Sequence, residues 1–328
     1  MIELKDKRIV MTGATGFIGS HVAGLLLSQG ASVYAIVRRE SRQKDRLPSH
    51  PNLHPVSGSM ADVLSCIHEI GSADAFLHFA WGGVNREEID SPSVQALNIA
   101  GSIDCVRAAH QLGCSIFMDA GSRVEYGITE DGTMEESMEC HPVNEYGKAK
   151  LKFYRQAEPL CKSWGMTYYH LRFFSVYGNG DHPWSIISTL VRDLPQDKTV
   201  SLSACRHHWN FMDITDAARA VVELYRHSDR FPAQTHTINI ASTDTRPLRE
   251  FTEEIHTLCG GRGRLEYGTF TQAKEGPLSI RPTTERLQTL TEGTWSEETS
   301  FSEGIRCMLK MNINGNTKIN DEASGKSE

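Results

Sequence analysis

Short apolar runs alternate with amphipathic stretches along the chain from residue 8 onward. The runs are rich in β-branched and aromatic side chains, as buried strands are, whereas the stretches between them repeat apolar positions at helical spacing. Strands that alternate with helices at this interval predict an α/β fold with a parallel, doubly wound sheet. The predicted strands are RIVMTG, SVYAIV, NLHPVSG, AFLHFA, CSIFMDAG and TYYHLRFFSVYG, and the predicted helices are FIGSHVAGLLLSQG, DVLSCIHEIG, NIAGSIDCVRAAHQLG and YGKAKLKFYRQAEPLCKSWG.

The regular alternation loosens after Gly178. NGDHPW and SACRHHWN are interpreted as loops, whereas DITDAARAVVELYR and HTINIAS predict a helix and a strand that return to the sheet. We therefore predict a first domain over 1–177 with returns around 210–242, and a smaller mixed α/β region over 178–310. The polar residues 311–328 lack apolar periodicity and are predicted to be a disordered tail.

Composition narrows the possible partners and location. The 328 residues carry a net charge of -7 and a pI near 6.1, which argues against nucleic acid or an anionic membrane as partner. No apolar run approaches the ~20 residues that span a bilayer, and the N-terminus leads directly into a strand, so we predict a cytoplasmic protein. The eight cysteines and fourteen histidines show no ligand spacing, which favours reduced thiols and no metal site.

A glycine-rich turn follows the first predicted strand. TGATGFIGSH places Gly13, Gly16 and Gly19 between a strand and a helix, where glycines allow a pyrophosphate to approach the helix N-terminus. Such turns also serve simple helix–strand packing, but the strand before and the helix and second strand after favour a dinucleotide and a Rossmann-type sheet. The predicted cofactor-binding residues of this turn are Gly13, Thr15, Gly16, Phe17, Ile18 and Gly19.

A tyrosine and a lysine share one face of a predicted helix. Tyr146 and Lys150 are four residues apart, so the ammonium lies next to the phenol and favours its ionised form. A phenol with a pKa lowered in this way can act as a general acid or base. By itself the Tyr-x-x-x-Lys spacing occurs by chance in many helices. Upstream, GSRVEYG places Ser122 at the end of a predicted strand, four residues before a Tyr-Gly pair.

The glycine spacing, Ser122 and Tyr146-x-x-x-Lys150 together resemble the extended short-chain dehydrogenase/reductase family. This family comprises nucleotide-sugar epimerases, dehydratases and reductases, and the resemblance runs from about residue 7 to about residue 310. It implies a catalytic triad in which Tyr146 exchanges a proton with a sugar oxygen and Ser122 hydrogen-bonds the same oxygen. Lys150 is then expected to hold the nicotinamide ribose, and hydride passes between the nicotinamide and a sugar carbon. Ala80 and Asn98 occupy positions beside the cofactor in this family, although each is equally well explained by a structural role.

Departures from the family pattern bear on the reaction. Dehydratases carry Thr-Asp-Glu where this chain has Ser122-Arg123-Val124, so the resemblance argues against dehydration. Trp209 stands where relatives have an arginine that meets the diphosphate, and Arg206 or Arg281 could supply the missing charge. The pieces HFAW, GSRVEYG, SVYGNGDHPWS and HHWNFMDITDAA are most similar to the 4-ketoreductase branch, which includes CDP-abequose synthase-like proteins. The predicted substrate-binding residues are Trp81, Ser122, Arg123, Ser175, Trp184, Arg206, Trp209 and Arg281.

The end of the second strand indicates which cofactor is used. Val37 falls where NAD-specific relatives carry an aspartate, and Arg38 and Arg39 follow it. A guanidinium can clamp the 2′-phosphate of NADP, so NADPH is the predicted cofactor. The alternative is a solvated basic loop, because the positive charges continue to Arg46. Cells generally keep NADP reduced, so NADPH use favours a net reductase.

These features support three possible functions. The first is an NADPH-dependent reductase of a nucleotide-linked 4-keto-6-deoxy sugar; the second is an NAD-dependent nucleotide-sugar 4-epimerase; the third is a non-catalytic dinucleotide sensor, which would not need the triad. The family resemblance also implies a homodimer through helices around 98–110 and 146–164. Leu151, Tyr154 and Leu160 could form its apolar stripe, or they could belong to the core.

Overall fold

The computed structural model describes residues 1–41, 43–85, 87–129, 131–269 and 279–324, with side chains as far as residue 312. The strands are β1 (Arg8–Thr12), β2 (Ser32–Val37), β3 (Leu53–Ser57), β4 (Ala75–His78), β5 (Ile116–Ser122), β6 (Thr133–Met134), β7 (Thr167–Phe173), β8 (Ser175–Tyr177), β9 (Thr199–Leu202), β10 (His208–Asp213), β11 (Thr235–Ile240), β12 (Thr245–Pro247), β13 (Arg264–Tyr267) and β14 (Arg281–Pro282). The helices are α1 (Phe17–Ser28), α2 (Val63–Cys66), α3 (Pro92–Gln111), α4 (Glu145–Ser163), α5 (Ile186–Asp193), α6 (Ile214–Arg226), α7 (Leu248–Leu258), α8 (Glu285–Leu290) and α9 (Phe301–Ser324).

The main sheet is parallel and doubly wound, as the alternation of strands and helices predicts. Within the described residues it has seven strands in the order β11-β7-β5-β4-β1-β2-β3, and every neighbouring pair is parallel. The order changes direction between β1 and β4, so the loops that follow these two strands open a crevice at the carboxyl edge of the sheet. The predicted fold class is therefore confirmed, and the crevice is the place where such sheets bind ligands.

Helices cover both faces of the sheet. α1 and α6 bury side chains such as Leu26 and Val221 on one face, and α3 and α4 bury Val106 and Phe153 on the other. Each such side chain contributes about 1.5–3 kcal/mol when it is fully removed from water. The sheet therefore lies between two apolar layers and provides a rigid base for the loops at its edge.

A smaller layer stands at the carboxyl edge of the main sheet. β8 follows β7 after a single residue, β10 pairs with β8 in parallel, and β12 pairs with β10 in antiparallel. Leu190 of α5, Phe251 of α7 and Ile305 of α9 pack into a separate apolar cluster beneath this sheet. The region therefore stands beside the crevice, and our prediction that residues 178–310 form a substrate-binding region stays a prediction.

The structure differs from the sequence prediction in three segments. α3 begins at Pro92, six residues before the predicted start at Asn98, because a proline at the first helical position costs no hydrogen bond. DVLSCIHEIG forms only one turn of α-helix, followed by a short 3-10 turn. SACRHHWN, predicted to be a loop, already enters β10 at His208.

The predicted disordered tail over 311–328 also differs, since α9 continues to Ser324. Extending an existing helix adds a hydrogen bond for each residue fixed, which is cheaper than starting one, so a polar segment can follow a packed first turn. Residues 325–328 lie outside the described part. In that part of the chain, no helix is long and apolar enough to cross a membrane.

Candidate active site

The glycine turn after β1 fits a dinucleotide. Gly13 has φ of +71°, and a Cβ there would stand 2.5 Å from the backbone of Phe79 and Ala80. A Cβ on Gly19 would overlap the carbonyl oxygen of Gly13. Gly16 caps α1 without a side-chain hydrogen bond, so the amides of the first turn are not occupied by a capping side chain. This N-terminus can receive a pyrophosphate, and Thr15, Phe17 and Ile18 border it.

Gly19→Ala is expected to lower both the thermal stability and the dinucleotide affinity. The added methyl meets backbone atoms that cannot move aside, and overpacking of this kind costs about 1–3 kcal/mol. Gly24→Ala is the matched control, because it lies in the same helix and a Cβ there meets nothing within 4 Å. Alanine should stabilise that position by roughly 0.5–1 kcal/mol. Thermal unfolding and a dinucleotide titration of both variants measure the difference, and similar losses in both would contradict the close-approach argument.

The end of β2 carries the predicted cofactor-selecting residues. Val37 is buried and brings no polar side-chain atom, whereas Arg38 and Arg39 are exposed. Arg39 donates from Nε to Ser57 Oγ at 3.1 Å, and with Lys44 it lines a cleft of about 420 Å³. The two guanidinium groups therefore follow directly after Val37, a strand end without a side-chain carboxylate.

The structure brings the three predicted catalytic residues together. Ser122 is the last residue of β5, and Tyr146 and Lys150 lie one turn apart at the start of α4. Asn144 fixes that start by accepting a hydrogen bond from the backbone of Gly147 at 2.8 Å. Lys150 Nζ lies 5.7 Å from the centre of the Tyr146 ring and donates to the carbonyl of Ala120 at 2.6 Å. The lysine therefore links α4 to the end of β5, where Ser122 stands.

Burial sets the protonation of these groups. Burial raises the pKa of Tyr146 to about 12, although hydrogen bonding with Ser122 and the charge of Arg123 oppose the rise, whereas the charge of Glu125 adds to it. The lowered phenol pKa predicted from the Tyr146–Lys150 spacing is therefore wrong for this structure, because burial outweighs the neighbouring positive charge. Burial also lowers the pKa of Lys150 to about 8. At neutral pH Tyr146 thus holds its proton, and most of the Lys150 side chains are charged. A protonated phenol in this position can donate to a substrate oxygen.

Trp81 contacts the side chains of both Tyr146 and Lys150. Its ring centre lies 3.6 Å from Lys150 Nζ, which is a cation–π contact, and it meets the Tyr146 ring edge-on at 6.2 Å. The indole N–H donates to Gln95 Oε1 at 2.9 Å and fixes the ring. Trp81 was predicted to bind substrate; the structure adds a contact that stabilises the charged form of Lys150.

Residues near the end of β4 have clear structural partners. Asn98 is buried, and its side-chain amide exchanges two hydrogen bonds of 2.9 Å with the backbone of Gly82. His78 lies between Thr12 and Ser102 at 2.7 and 2.8 Å, and burial lowers its pKa to about 3. Asn98 therefore supports the loop beside the glycine turn, which favours the structural alternative for this residue.

Arg123 and Trp209 form an aromatic–cation pair on the substrate side. The Arg123 guanidinium carbon lies 5.1 Å from the centre of the Trp209 ring. Arg123 Nη1 and Trp209 Nε1 are closed to solvent, and neither has a hydrogen-bond partner among the described residues. Burial lowers the pKa of Arg123 to about 10, and the neighbouring Tyr146 opposes this. Two buried donors without acceptors beside Tyr146 favour a ligand oxygen at this place.

The remaining predicted substrate residues are more dispersed. Ser175 is half-buried on β8, and Arg206 is exposed before β10. Trp184 is 68% exposed and stacks on His182 at 4.5 Å. Arg281 donates to the imidazole of His208 at 3.0 Å. In the described part of the chain no hydrogen bond or ion pair joins them to the triad, so their contact with substrate stays a prediction.

Sequence reasoning missed a buried ionic cluster behind Ser122. Its members are Asp119, Glu125, His170 and Arg172, all buried. Two signals point to it: Ser122-x-x-Glu125 is a capping box, and Asp119 stands directly opposite His170 in the pairing of β5 with β7. Although burial opposes it, the two carboxylates raise the pKa of His170 to about 9.

The described fold and site define a Rossmann-type α/β protein with a dinucleotide turn and a Ser-Tyr-Lys arrangement. The chain belongs to the NAD dependent epimerase/dehydratase family, whose profile matches residues 9–241. The predicted family is thereby confirmed.

Curated relatives within this family are distant. CDP-abequose synthase of Salmonella muenchen is 22% identical over 307 residues, which cover 93% of this chain and 98% of that protein. UDP-glucose 4-epimerase of Corynebacterium glutamicum is 24% identical over 176 residues, which cover 52% of this chain and 53% of that protein. The chain thus spans about half the length of the curated epimerases that it matches.

Solved structures share the whole fold. MoeE5 in complex with UDP-glucuronic acid and NAD has a TM-score of 0.80 at 24% identity, over 94% of this chain and 99% of that one. UDP-N-acetylglucosamine 4-epimerase from Methanobrevibacter ruminantium M1, in complex with UDP-N-acetylmuramic acid, has a TM-score of 0.82 at 21% identity, over 95% of this chain and 99% of that one. At these identities the match shows the fold.

Proposed function

We propose that the protein is an NADPH-dependent reductase of a nucleotide-linked 4-keto-6-deoxy sugar. The observation that carries this proposal is a protonated Tyr146 that hydrogen-bonds Ser122 and has the charged Lys150 near its ring. Similarity to CDP-abequose synthase over nearly the full length of both chains supports the reductase branch. The two unpartnered donors of Arg123 and Trp209 support a substrate rich in oxygen acceptors.

The chain's own residues account for the proton chemistry. When bound, the nicotinamide supplies the hydride that a carbonyl carbon needs to become an alcohol. Tyr146 gives its proton to the carbonyl oxygen, and Ser122 donates a hydrogen bond to the same oxygen. Lys150 then lies beside the tyrosinate and lowers the cost of its negative charge. The guanidinium of Arg123 adds a second positive charge near the phenol.

A redox-neutral 4-epimerase is the second candidate. Several UDP-glucose 4-epimerases match at 24–26% identity, although over about half of their length. The same triad serves both reactions, because an epimerase removes and returns the same proton and hydride. A non-catalytic sensor fits less well, since it has no use for a proton donor next to a buried lysine.

A substrate panel decides between the two enzymes. Purified protein is incubated with NADPH and with CDP-, dTDP-, GDP- and UDP-linked 4-keto-6-deoxy sugars, and the loss of NADPH absorbance is followed. We expect stoichiometric NADPH consumption with at least one sugar and a new C4 alcohol in the product. Conversion of UDP-glucose to UDP-galactose without net NADPH use would establish the epimerase instead. If the protein converts neither the 4-keto-6-deoxy sugars nor UDP-glucose, both enzymatic functions are refuted.

We also propose that the protein is a homodimer through α3 and α4. Leu151 is buried in the core, and Tyr154 and Leu160 are partly buried against it, which favours the alternative that these residues belong to the core over an outward stripe. On α3 the side chain of Leu97 is 72% exposed, and residues of α3 and α4 line a groove of about 350 Å³. The groove is lined by Ala96, Ile99, Ala100, Ile103, Asp104, Arg107, Lys152 and Gln156.

Leu97→Arg is expected to separate the dimer, because a charge would replace an apolar side chain at the centre of the proposed contact. Light scattering should give about twice the 36.6 kDa chain mass for the original protein and the chain mass for the variant. Ile128→Arg, an equally polar change at another exposed apolar residue, is the control and should stay dimeric. A mass near 36.6 kDa for the unchanged protein would reject the dimer.

A further inference from the structure

A buried carboxylate lies directly behind the catalytic serine. Glu125 accepts a hydrogen bond through Oε1 from the backbone N–H of Ser122 at 2.6 Å. Its other oxygen accepts from His170 Nε2 at 2.8 Å and from Arg172 Nε at 3.3 Å. One oxygen of Glu125 is therefore occupied by the serine's own peptide group, and the other by two nitrogen donors.

The geometry also fixes the charge of His170. Its second ring nitrogen, Nδ1, lies 3.0 and 3.1 Å from the two oxygens of Asp119, which also accepts from the Tyr168 hydroxyl at 2.8 Å. A carboxylate only accepts hydrogen bonds, so an imidazole between two carboxylates donates from both nitrogens and is positively charged. His170 and Arg172 then balance the negative charges of Asp119 and Glu125.

Gly121, the residue before Ser122, leaves the space that this cluster occupies. A Cβ on Gly121 would stand 2.7 Å from the His170 ring and 2.9 Å from Glu125 Oε1. Any side chain there would push the imidazole and the carboxylate apart. The absence of a side chain at Gly121 therefore allows both groups to reach the peptide that leads into Ser122.

Fold stability alone gives little reason for such a cluster. Removing charges from water is costly, and replacing a buried ion network by apolar side chains is often neutral or stabilising. The cluster lies at the end of β5, where the strand ends in Ser122 at the crevice. Among the described residues, the hydrogen bond that joins it to the triad is the one that the Ser122 backbone N–H donates to Glu125.

We propose that Glu125 is a positioning residue for the reaction. It fixes the peptide group of Ser122, and with it the direction of the hydroxyl that meets the substrate oxygen, and it places a permanent negative charge behind Tyr146. His170 and Arg172 hold Glu125 in place. The proposal rests on the proposed function only in that the reaction uses Ser122 and Tyr146, and it applies to reduction and epimerisation alike.

Two variants of the cluster separate positioning from structure. Glu125→Gln keeps the size of the side chain, but its NH2 group must face either the Ser122 N–H or the donors of His170 and Arg172, so one side of the contact must shift. We expect kcat to fall about tenfold or more with KM little changed, because small misplacements of reacting groups cost one to two orders of magnitude. Asp119→Asn is the matched control at the far side of His170, with no contact to Ser122. It should lose thermal stability while kcat stays within about threefold of the original.

The pH profile gives a readout that a purely structural role would not move. The charged groups facing Tyr146 are Arg123, Glu125 and Lys150, and Glu125 is the carboxylate that helps to keep the phenol protonated. Without that charge Tyr146 loses its proton more readily, so the alkaline limb of kcat for reduction should move to lower pH in Glu125→Gln. Asp119 favours the charged form of Lys150 and is not among the groups that act on the phenol, so in Asp119→Asn the titration of Tyr146 itself should stay in place.

Crystal structures of both variants test the same point without any substrate. A shifted Ser122 peptide in Glu125→Gln, with an unchanged one in Asp119→Asn, supports positioning even if no sugar in the panel is turned over and the proposed function fails. An unmoved Ser122 in Glu125→Gln would overturn the proposal. An unchanged kcat in Glu125→Gln would also overturn it. The same holds if the loss of kcat is proportional to the loss of thermal stability in both variants.

Discussion

Tyr146→Phe is expected to remove nearly all turnover and to leave the fold and dinucleotide affinity intact. The change deletes only the phenolic oxygen, and the ring keeps its edge contact with Trp81. General acid catalysis typically supplies ~10²–10⁴-fold, so kcat should fall by about that factor. The measurement is the single-turnover rate with the best sugar of the panel, together with thermal unfolding and a dinucleotide titration.

Lys150→Met is the informative comparison for this variant. Lys150 Nζ donates a hydrogen bond to the Ala120 carbonyl, makes a cation–π contact with the Trp81 ring and lies near the Tyr146 ring. Its loss should therefore damage the rate, the cofactor affinity and the stability together, whereas Tyr146→Phe should damage the rate alone. Near-original turnover in Tyr146→Phe would contradict the assignment of the proton donor, whichever direction the enzyme runs.

The sequence predicted the parts of the molecule that depend on local periodicity. β1, the glycine turn and α1 follow from an apolar run, three glycines at fixed spacing and a helical repeat. Tyr146 and Lys150 meet because residues four apart share a helix face, which requires no knowledge of the rest of the fold. The family resemblance placed Ser122 opposite them, and the pairing of α4 with the end of β5 bears out that these three residues lie together.

The parts that were missed depend on contacts between distant segments. His170 and Asp119 are 51 residues apart and meet only because β7 pairs with β5 in this register. Polar residues in SACRHHWN suggested a loop, yet Asn210 is fully buried and bonds the backbone of Ser242, which draws the segment into β10. Tertiary partners here overrode local propensity, because a buried amide with all its hydrogen bonds satisfied costs little.

The sequence left the direction of the apolar face of α4 open for a related reason. Helical periodicity identifies which residues share a face, but not whether that face meets the core or a second subunit. Leu151 is only 6% exposed, since Tyr126 and Phe174 belong to the same apolar cluster. The sequence alone therefore predicted an apolar face and left open whether it meets a second subunit or the core, and the burial of Leu151 favours the core.

NADPH is expected to bind more tightly than NADH, and replacing both Arg38 and Arg39 by alanine is expected to remove the difference. Val37 offers no acceptor to a ribose hydroxyl, whereas the exposed guanidinium groups that follow can clamp a 2′-phosphate. A hydrogen bond to a charged group contributes ~1.5–3 kcal/mol, so one alone gives roughly a tenfold preference and two give on the order of a hundredfold or more. The loss should fall on NADPH far more than on NADH.

The decisive comparison uses a second double variant with the same change in net charge. Arg230 and Arg262 are both more than half exposed and pair with surface carboxylates. Replacing them by alanine therefore measures the effect of losing two positive charges away from the end of β2. Both cofactors are titrated at low and high salt. In the original protein the difference in affinity between NADPH and NADH should shrink as salt rises, because screening weakens exposed charge pairs. In the Arg38/Arg39 variant this difference should be absent. Equal losses for the two cofactors, or tighter NADH binding by the original protein, would make Arg38 and Arg39 part of a solvated basic loop. The argument from NADPH to a reductase would then fail, and the 4-epimerase would become the better-supported function.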